Sequence, residues 1–420
     1  MQQTRTIRIG LLGCGTVGSS FCQLIAEESD EIERRLGVRL EVTAVAVRDT
    51  SKTRTGVDPS IVVDDPAAVV AAENTDLVVE VMGGVDPTRS LVLDALAAGK
   101  PVVTANKELL ALHGPELYAA ADGAGVDLAF EAAVAAGIPL IRPLRESLVG
   151  EKITQVLGIL NGTTNYILSQ MTEHGAGYTD ALAEADPTAD VGGFDAGSKV
   201  AIIATLAFGE AVMAGDVHIE GITTITTEDI AHAARLGYVI KLLGVVERGA
   251  DGAIGARVHP TMVPTDHPLA SVRDSFNAVF VEGAGIDQLM FYGRGAGGHP
   301  TAAMMVGDTI DAARNLVANT HSSLGSLPRA SVRPVDEVRS AFFVSLDARD
   351  EPGVLAAIAS VFGDLGVSIR SMEQEGMGDQ ARLVFITHKA READLRATLA
   401  KLSGLDVVKD VGQVLRVIGN

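Results

Sequence analysis

The 420-residue sequence predicts an α/β protein in three parts: a parallel-sheet domain, an α+β domain and a ferredoxin-like βαββαβ tail. Three observations carry this reading. Short apolar runs alternate with helical periodicity as far as about residue 130. From about Glu131 the alternation gives way to a mixed pattern. Over 340–420 the order becomes strand, helix, strand, strand, helix, strand.

In the first part Ile7–Leu12 reads as a buried strand, and Val17–Glu28 as a helix behind a glycine turn. Leu40–Val47, Leu77–Val81, Pro101–Thr104 and Asp127–Phe130 supply the other strands. A helix over Thr301–Ala318 returns to cover this sheet, so the domain takes 1–130 plus about 300–325. The middle domain, 131–299, sets the strand-like runs Ile153–Ile159, Ala256–Val263 and Ala278–Glu282 among helices at Lys199–Ala214 and Glu228–Leu243. Asn319–Arg339 is rich in Ser, Pro and mixed charge, and 326–339 reads as the linker. In the tail the strands are Ala341–Leu346, Val367–Glu373, Arg382–Thr387 and Val407–Val417. Its helices are Val354–Leu365 and Glu392–Leu402.

A formal charge of −20 argues against nucleic acid and anionic membranes as partners. Bound phosphate must then be held by local cations and backbone N–H groups. The two cysteines, Cys14 and Cys22, form no disulfide framework. The first residues lack the pattern of a secretory leader, and no run of about 18 apolar residues suggests a membrane span. A cytoplasmic location is expected.

Gly13-Cys14-Gly15-Thr16-Val17-Gly18 is a G-x-G-x-x-G element between a strand and a helix. Such glycines let the backbone approach a pyrophosphate, and the helix start offers it unpaired N–H groups, the Rossmann arrangement. Gly13, Gly15, Thr16, Val17 and Gly18 are therefore the cofactor-binding candidates. At the tip of the second strand stand Arg48 and, close behind, Lys52. Two cations there favour the extra phosphate of NADP(H). Asp49 turned inward would accept a ribose hydroxyl and keep NAD(H) possible. A merely solvated loop is the plain reading of Lys52.

Lys107 follows a buried strand where ligands of such sheets lie, beside substrate or nicotinamide; a solvated helix-end lysine is the alternative. From Glu184 to Lys199 four carboxylates (Glu184, Asp186, Asp190, Asp195) precede a lysine that opens an apolar helix. Asp195 and Lys199, four apart, share a helix face, and a partly desolvated lysine beside carboxylates can exchange a proton. A surface ion pair is the bland reading. Among the described motifs no His or Cys cluster has metal spacing, and His113 and His299 read as ordinary polar residues.

The run Asp186-Pro-x-x-Asp190-Val-x-Gly-x-Asp195-x-x-x-Lys199 resembles the signature of homoserine dehydrogenases. Asn161-Gly-Thr-Thr-Asn165-Tyr166-Ile167, Glu80-Val-Met-Gly-Gly84, Thr104-Ala-Asn-Lys107 and Tyr292-Gly-Arg-Gly-Ala-Gly-Gly-His-Pro-Thr301 are also similar to blocks of that family, in its order. The resemblance implies reversible reduction of L-aspartate 4-semialdehyde to L-homoserine, in threonine, methionine and isoleucine biosynthesis. It implies Lys199 as proton donor, Glu184 and Asp195 as holders of the substrate ammonium, and Asp190 as a residue orienting Lys199 or a water. Lys107 would lie near substrate and cofactor, with Gly295 approaching the cofactor or making a tight turn. It further implies a structural sodium ion on the carbonyls of Glu131, Val134, Ala136 and Ile138, and a homodimer or homotetramer. One departure stands out. Tyr178–Glu184 directly joins elements that relatives separate by a longer helix and loop, and Ala181 is nearest to a cofactor-contacting glycine of theirs.

Asp350-Glu-Pro-Gly353-Val-Leu355 resembles the opening of ACT domains, which implies side-by-side pairing and an amino-acid effector at this turn, with threonine as the expected inhibitor. A purely structural pairing module is the rival. A non-catalytic amino-acid sensor on the same fold is the alternative function, but it would not need the proton-donor set of Lys107, Asp190, Asp195 and Lys199. A 2-hydroxy-acid dehydrogenase would need an Arg/His/Glu centre, which the sequence lacks.

Overall fold

The computed structural model describes residues 5–183, 188–325, 327–376 and 380–419. The first sheet is built from β1 (Arg5–Leu12), β2 (Val38–Ala46), β3 (Val62–Val63), β4 (Leu77–Glu80), β5 (Val102–Thr104) and β6 (Leu128–Ala129). Between them run α1 (Thr16–Leu36), α2 (Pro66–Ala71), α3 (Thr88–Ala97) and α4 (Lys107–Ala124). The strands lie in the order β3-β2-β1-β4-β5-β6, all parallel. The order reverses between β1 and β4, so the crevice beyond their carboxyl ends is where a ligand belongs.

The chain continues through β7 (Ile153–Ile159), α5 (Gly162–His174), α6 (Tyr178–Ala183), α7 (Thr188–Val191) and α8 (Phe194–Phe208). Next come β8 (His218–Ile219), α9 (Thr227–Arg235), β9 (Tyr238–Arg248), β10 (Ile254–Pro264), β11 (Phe276–Gly283), β12 (Asp287–Arg294) and α10 (Gly298–Ala318). The tail is β13 (Arg339–Arg349), α11 (Val354–Asp364), β14 (Ile369–Gly376), β15 (Gln380–Thr387), β16 (Ala390–Arg391), α12 (Glu392–Leu402) and β17 (Val408–Val417).

By packing, the chain forms two compact units: Met1–Val156 with Asp195–Val217 and Phe276–Ala330, and Leu157–Phe194 with His218–Ser275 and Ser331–Asn420. In the first, Ala302, Met305 and Ala313 of α10 join Phe21 and Ile25 of α1 on the apolar face of the parallel sheet. That is the returning helix expected from its periodicity. In the second, β9 and β10 pair antiparallel from Tyr238–Pro264 to Arg248–Ile254, and β8 lies beside β10. The tail sheet has the order β17-β13-β15-β14, and α11 and α12 supply Ile358, Phe362 and Leu395 to its core. This is the expected ferredoxin-like arrangement. Its last strand also pairs parallel with β10, Thr261 opposite Arg416 and Met262 opposite Val417.

Several elements differ from expectation. α1 runs to Leu36 rather than Glu28, because its charged second half still buries Ser29 and Ile32 before Gly37 (φ 71°) closes it. The helix expected over Glu228–Leu243 stops at Arg235. Gly237, at φ 81°, breaks it, and the following apolar run pairs as β9. The helix expected over Lys199–Ala214 instead starts at Phe194 and ends at Phe208, before Gly209 at φ 66°. Among the described residues no helix is long and apolar enough to cross a membrane.

Candidate active site

The parallel strands converge on a cavity of about 780 Å³, lined by Gly13 and Gly15 on one side and Arg48, Lys52 and Arg54 on another. Gly13 turns the chain at φ +93°, and a Cβ there would fall 2.8 Å from the Val81 carbonyl. Gly18 packs the start of α1 onto that turn, with space for a Cβ only 2.6 Å from Gly13 O. A Cβ at Gly15, by contrast, would meet nothing within 4 Å. The protein thus leaves room at Gly15 for something other than itself, and the residues present fit a dinucleotide pyrophosphate. Thr16 and Val17 shape the turn: Thr16 O accepts from Ser20 Oγ at 3.0 Å, and Val17 packs onto the core.

At the tip of β2, Asp49 lines the cavity with one oxygen engaged locally. Its Oδ1 accepts from Ser51 N at 3.0 Å and Ser51 Oγ at 2.6 Å, which holds the carboxyl below its ordinary value. Arg48 and Lys52, both exposed, line the cavity with Arg54, and the carboxylates Asp49, Asp64 and Asp86 line it too. Arg54 was not anticipated. Its guanidinium donates to the carbonyls of Cys14 (3.2 Å), Lys52 (2.7 Å) and Asp49 (2.8 Å), tying this tip to the glycine turn. Carbonyl partners leave no trace in a sequence.

Glu80 ends β4 fully buried. Its carboxylate accepts from Met82 N (2.7 Å), Gly83 N (3.1 Å) and Thr104 Oγ1 (2.5 Å). Burial raises its pKa, against the hydrogen bonds that favour its charge. Thr104 Oγ1 in turn accepts from Asn106 N at 3.0 Å. Asn106 caps α4 through Leu109 N (3.0 Å) and donates to Gly84 O (2.7 Å). The Glu80–Gly84 and Thr104–Lys107 blocks are therefore one hydrogen-bonded frame, and Lys107 opens the helix that this frame caps.

From there Lys107 Nζ reaches Asp195 Oδ1, with its side chain 41% exposed. Lys199, one helical turn beyond Asp195 on α8, places Nζ 2.8 Å from Asp195 Oδ2, and both side chains are 9% exposed. The apolar stretch behind Lys199 is buried on nearly all sides and Lys199 with it, so the i,i+4 pair is not a surface decoration, although Phe194 at the start of α8 is exposed. Burial alone would raise the Asp195 carboxyl, but the two ammonium groups overcome it and hold it well below the usual carboxylate range. The set thus holds two ammonium groups against the two oxygens of one largely buried carboxylate.

In the second unit Asp190 Oδ1 accepts from Asn161 Nδ2 at 2.8 Å, and Asn161 Oδ1 caps α5 at Thr164 N (2.9 Å). Asn161 was known only as part of a motif; its tie to Asp190 is a structural finding. Glu184 lies outside the described residues. The buried loop from Glu131 holds two consecutive non-glycine residues at positive φ, Ala135 (54°) and Ala136 (26°), while the Glu131 carboxylate accepts from Ile141 N (2.6 Å) and Arg142 N (2.9 Å). Val134, Ala136 and Ile138 are buried in the same loop. At Gly295 the backbone lies close against Asn277, and a Cβ there would fall 2.0 Å from its Nδ2.

A glycine-rich turn at the switch point of a parallel sheet, in a unit that also carries a lysine–carboxylate–lysine set on a largely buried carboxylate, fits a dinucleotide-dependent oxidoreductase. Family models narrow the class: "Homoserine dehydrogenase, NAD binding domain" matches 13–131, "Homoserine dehydrogenase" 139–310 and "ACT domain" 342–407. The homoserine dehydrogenase of Corynebacterium glutamicum is 48% identical over 427 residues, covering 98% of this chain and 95% of its own. A crystal structure of a homoserine dehydrogenase from Thiobacillus denitrificans superposes with a TM-score of 0.93 at 38% identity, over 99% of both chains. A hyperthermophilic archaeal homoserine dehydrogenase in complex with NADPH is 27% identical, with a TM-score of 0.62 over 73% of this chain and 97% of that one. The chain belongs to the homoserine dehydrogenase family and is an oxidoreductase that interconverts L-aspartate 4-semialdehyde and L-homoserine.

Proposed function

We propose that Lys199 is the proton donor of the reduction, and that the Lys107–Asp195–Lys199 set is its working form. The bound dihydronicotinamide supplies the hydride to the aldehyde carbon. Lys199 Nζ gives a proton to the carbonyl oxygen, so the aldehyde gains two electrons and two hydrogens and leaves as the alcohol. In the oxidation direction the neutral amine takes the hydroxyl proton back. Asp195 holds the Lys199 amine 2.8 Å from its own Oδ2, which fixes the donor in place. Its oxygens each carry two lone pairs, so with Glu184 it also receives the substrate ammonium. Asp190 is assigned the orienting of the donor or of a water, and Lys107 a place beside substrate and cofactor.

NADP(H) is the preferred cofactor in this reading, NAD(H) the weaker one. Arg48 and Lys52 line the cavity while Asp49 is engaged by Ser51, and the NADPH held by the archaeal relative is in keeping with it. A sodium ion on the carbonyls of Glu131, Val134, Ala136 and Ile138 fits the left-handed backbone at Ala135 and Ala136, a conformation that costs about 1–3 kcal/mol per residue unless something repays it. The tail is read as a threonine-responsive regulatory domain in a homodimer or homotetramer.

The single observation that carries the proposal is the buried contact of Lys199 with Asp195. Lys199→Ala is expected to cut aspartate-semialdehyde-dependent NADPH oxidation by about 10²–10⁴-fold, with NADPH affinity unchanged. Turnover within a few-fold of the parent protein would remove Lys199 from the role.

A further inference from the structure

Within the second unit, a cavity of about 220 Å³ opens between α12 and the segment that carries Glu220. It is smaller than the roughly 300–1,000 Å³ of pockets for drug-sized ligands, so its occupant is small. At its base Arg416 donates to Glu220 through two nitrogens (2.7 and 2.8 Å), and to both oxygens of Glu392, Oε2 at 3.1 Å. The Arg416 and Glu392 side chains are 10% and 9% exposed. One guanidinium against two carboxylates leaves a negative charge in excess, with Glu392 buried and Glu220 42% exposed at the cavity wall. His218 Nε2 shares Glu220 Oε1 at 2.7 Å. At the mouth Arg396 directs two of its N–H groups at Asp336, and a guanidinium has five. The remaining wall is apolar, with Phe342, Leu395, Leu399 and Val414. Among the described residues lining it there is no Ser, Thr, Asn or Gln.

We propose that this cavity binds one small α-amino acid with an apolar side chain. The ammonium balances the Glu220–Glu392–Arg416 group, the carboxylate meets Arg396, and the side chain lies on Phe342 and Leu399. A hydroxylated side chain would find no partner on that wall and would lose its hydration on entry. The proposal rests on the reading of the tail as regulatory, but places a ligand away from the Asp350–Leu355 turn. Occupancy also bears on the reaction. Next to Glu220, Gly221 packs so closely on the chain after Asp190 that a Cβ would sit 2.2 Å from Val191 O, and Ile222 N donates to that oxygen at 2.9 Å. A pull on Glu220 is thereby felt beside Asp190.

Calorimetric titration of the full chain with L-leucine, L-serine and L-threonine tests this, with the initial rate read at each ligand concentration. The expected result is one L-leucine per chain, bound at least about tenfold tighter than L-serine, with a rate change that saturates along the same curve. Leu399→Trp fills the cavity without touching the ionic group. It should abolish both the leucine heat and the leucine-dependent change in rate. Glu392→Gln should weaken binding at least about tenfold, and Asp350→Ala should leave it unchanged. No leucine heat up to about 10 mM, or leucine binding that survives Leu399→Trp and Glu392→Gln, overturns the proposal. Threonine inhibition with no leucine binding would leave the regulatory reading standing and this site refuted; silence from both amino acids would remove both.

Discussion

Asp195 is held by two ammonium groups, and only one of them, Lys199, belongs to its own motif. Replacing it by Asn removes the charge that holds two ammonium groups together, so Asp195→Asn should lower kcat by about 10²-fold or more. The measurement is steady-state turnover beside a thermal melt that shows the fold intact. Glu80 acts at one remove, through the Thr104–Asn106 frame. Glu80→Gln keeps the shape but loses charge-assisted acceptance from two backbone N–H groups and a hydroxyl. It should cost about 1–3 kcal/mol in urea unfolding and raise KM for the dinucleotide more than it lowers kcat. The burial of Lys199 was legible in the sequence, because a lysine followed directly by an apolar helical run has nowhere wet to go. Arg54 was not, because its partners are carbonyls. Asp49 was read as free to turn inward, and only coordinates show its oxygen taken by Ser51 two residues on.

Elements were legible where periodicity was clean and unreliable where one glycine decided the matter. β7 and α12 appear at their expected bounds. Glu228–Leu243 looked like one helix because Ile230, Ala233 and Ala234 keep helical spacing, and nothing in that spacing announces that Gly237 will adopt φ 81°. The junction of α1 with β1 makes a sharper test. Gly18→Ala would drive a methyl into Gly13 O, so dinucleotide affinity should fall by about tenfold or more, read by fluorescence titration with NADPH. In β9, Lys241 is buried against Asn165 Oδ1 (3.0 Å) and Val272 O (2.6 Å), and burial brings its amine down to about 8. The folded protein therefore binds fewer protons than the unfolded chain between about pH 8 and the ordinary value of 10.5. Stability should rise with pH across that window, by up to about 3 kcal/mol, and stay flat below it. Lys241→Met should abolish the rise; an unchanged slope would assign it to other groups.

For the molecule as a whole, the parallel sheet with a returning helix and the ferredoxin-like tail followed from pattern alone. The parallel seam between β10 and β17 did not, since neither strand's sequence names its neighbour. If the dinucleotide binds only the folded chain, NADPH at 100 times its Kd should add about 2.7 kcal/mol of stability, and Arg48→Ala should shrink that gain for NADPH but not for NADH. Threonine added to the assay should depress the initial rate; a flat response to millimolar levels would favour a tail that serves assembly alone. One last consequence comes from Lys107. Its ammonium already occupies one oxygen of Asp195, the carboxylate proposed above to receive the substrate ammonium. In that reading Lys107 and the substrate ammonium compete for the same oxygen, while Lys199 keeps the other one. Small diamines, which mimic that exchange without offering an aldehyde, should act as competitive blockers.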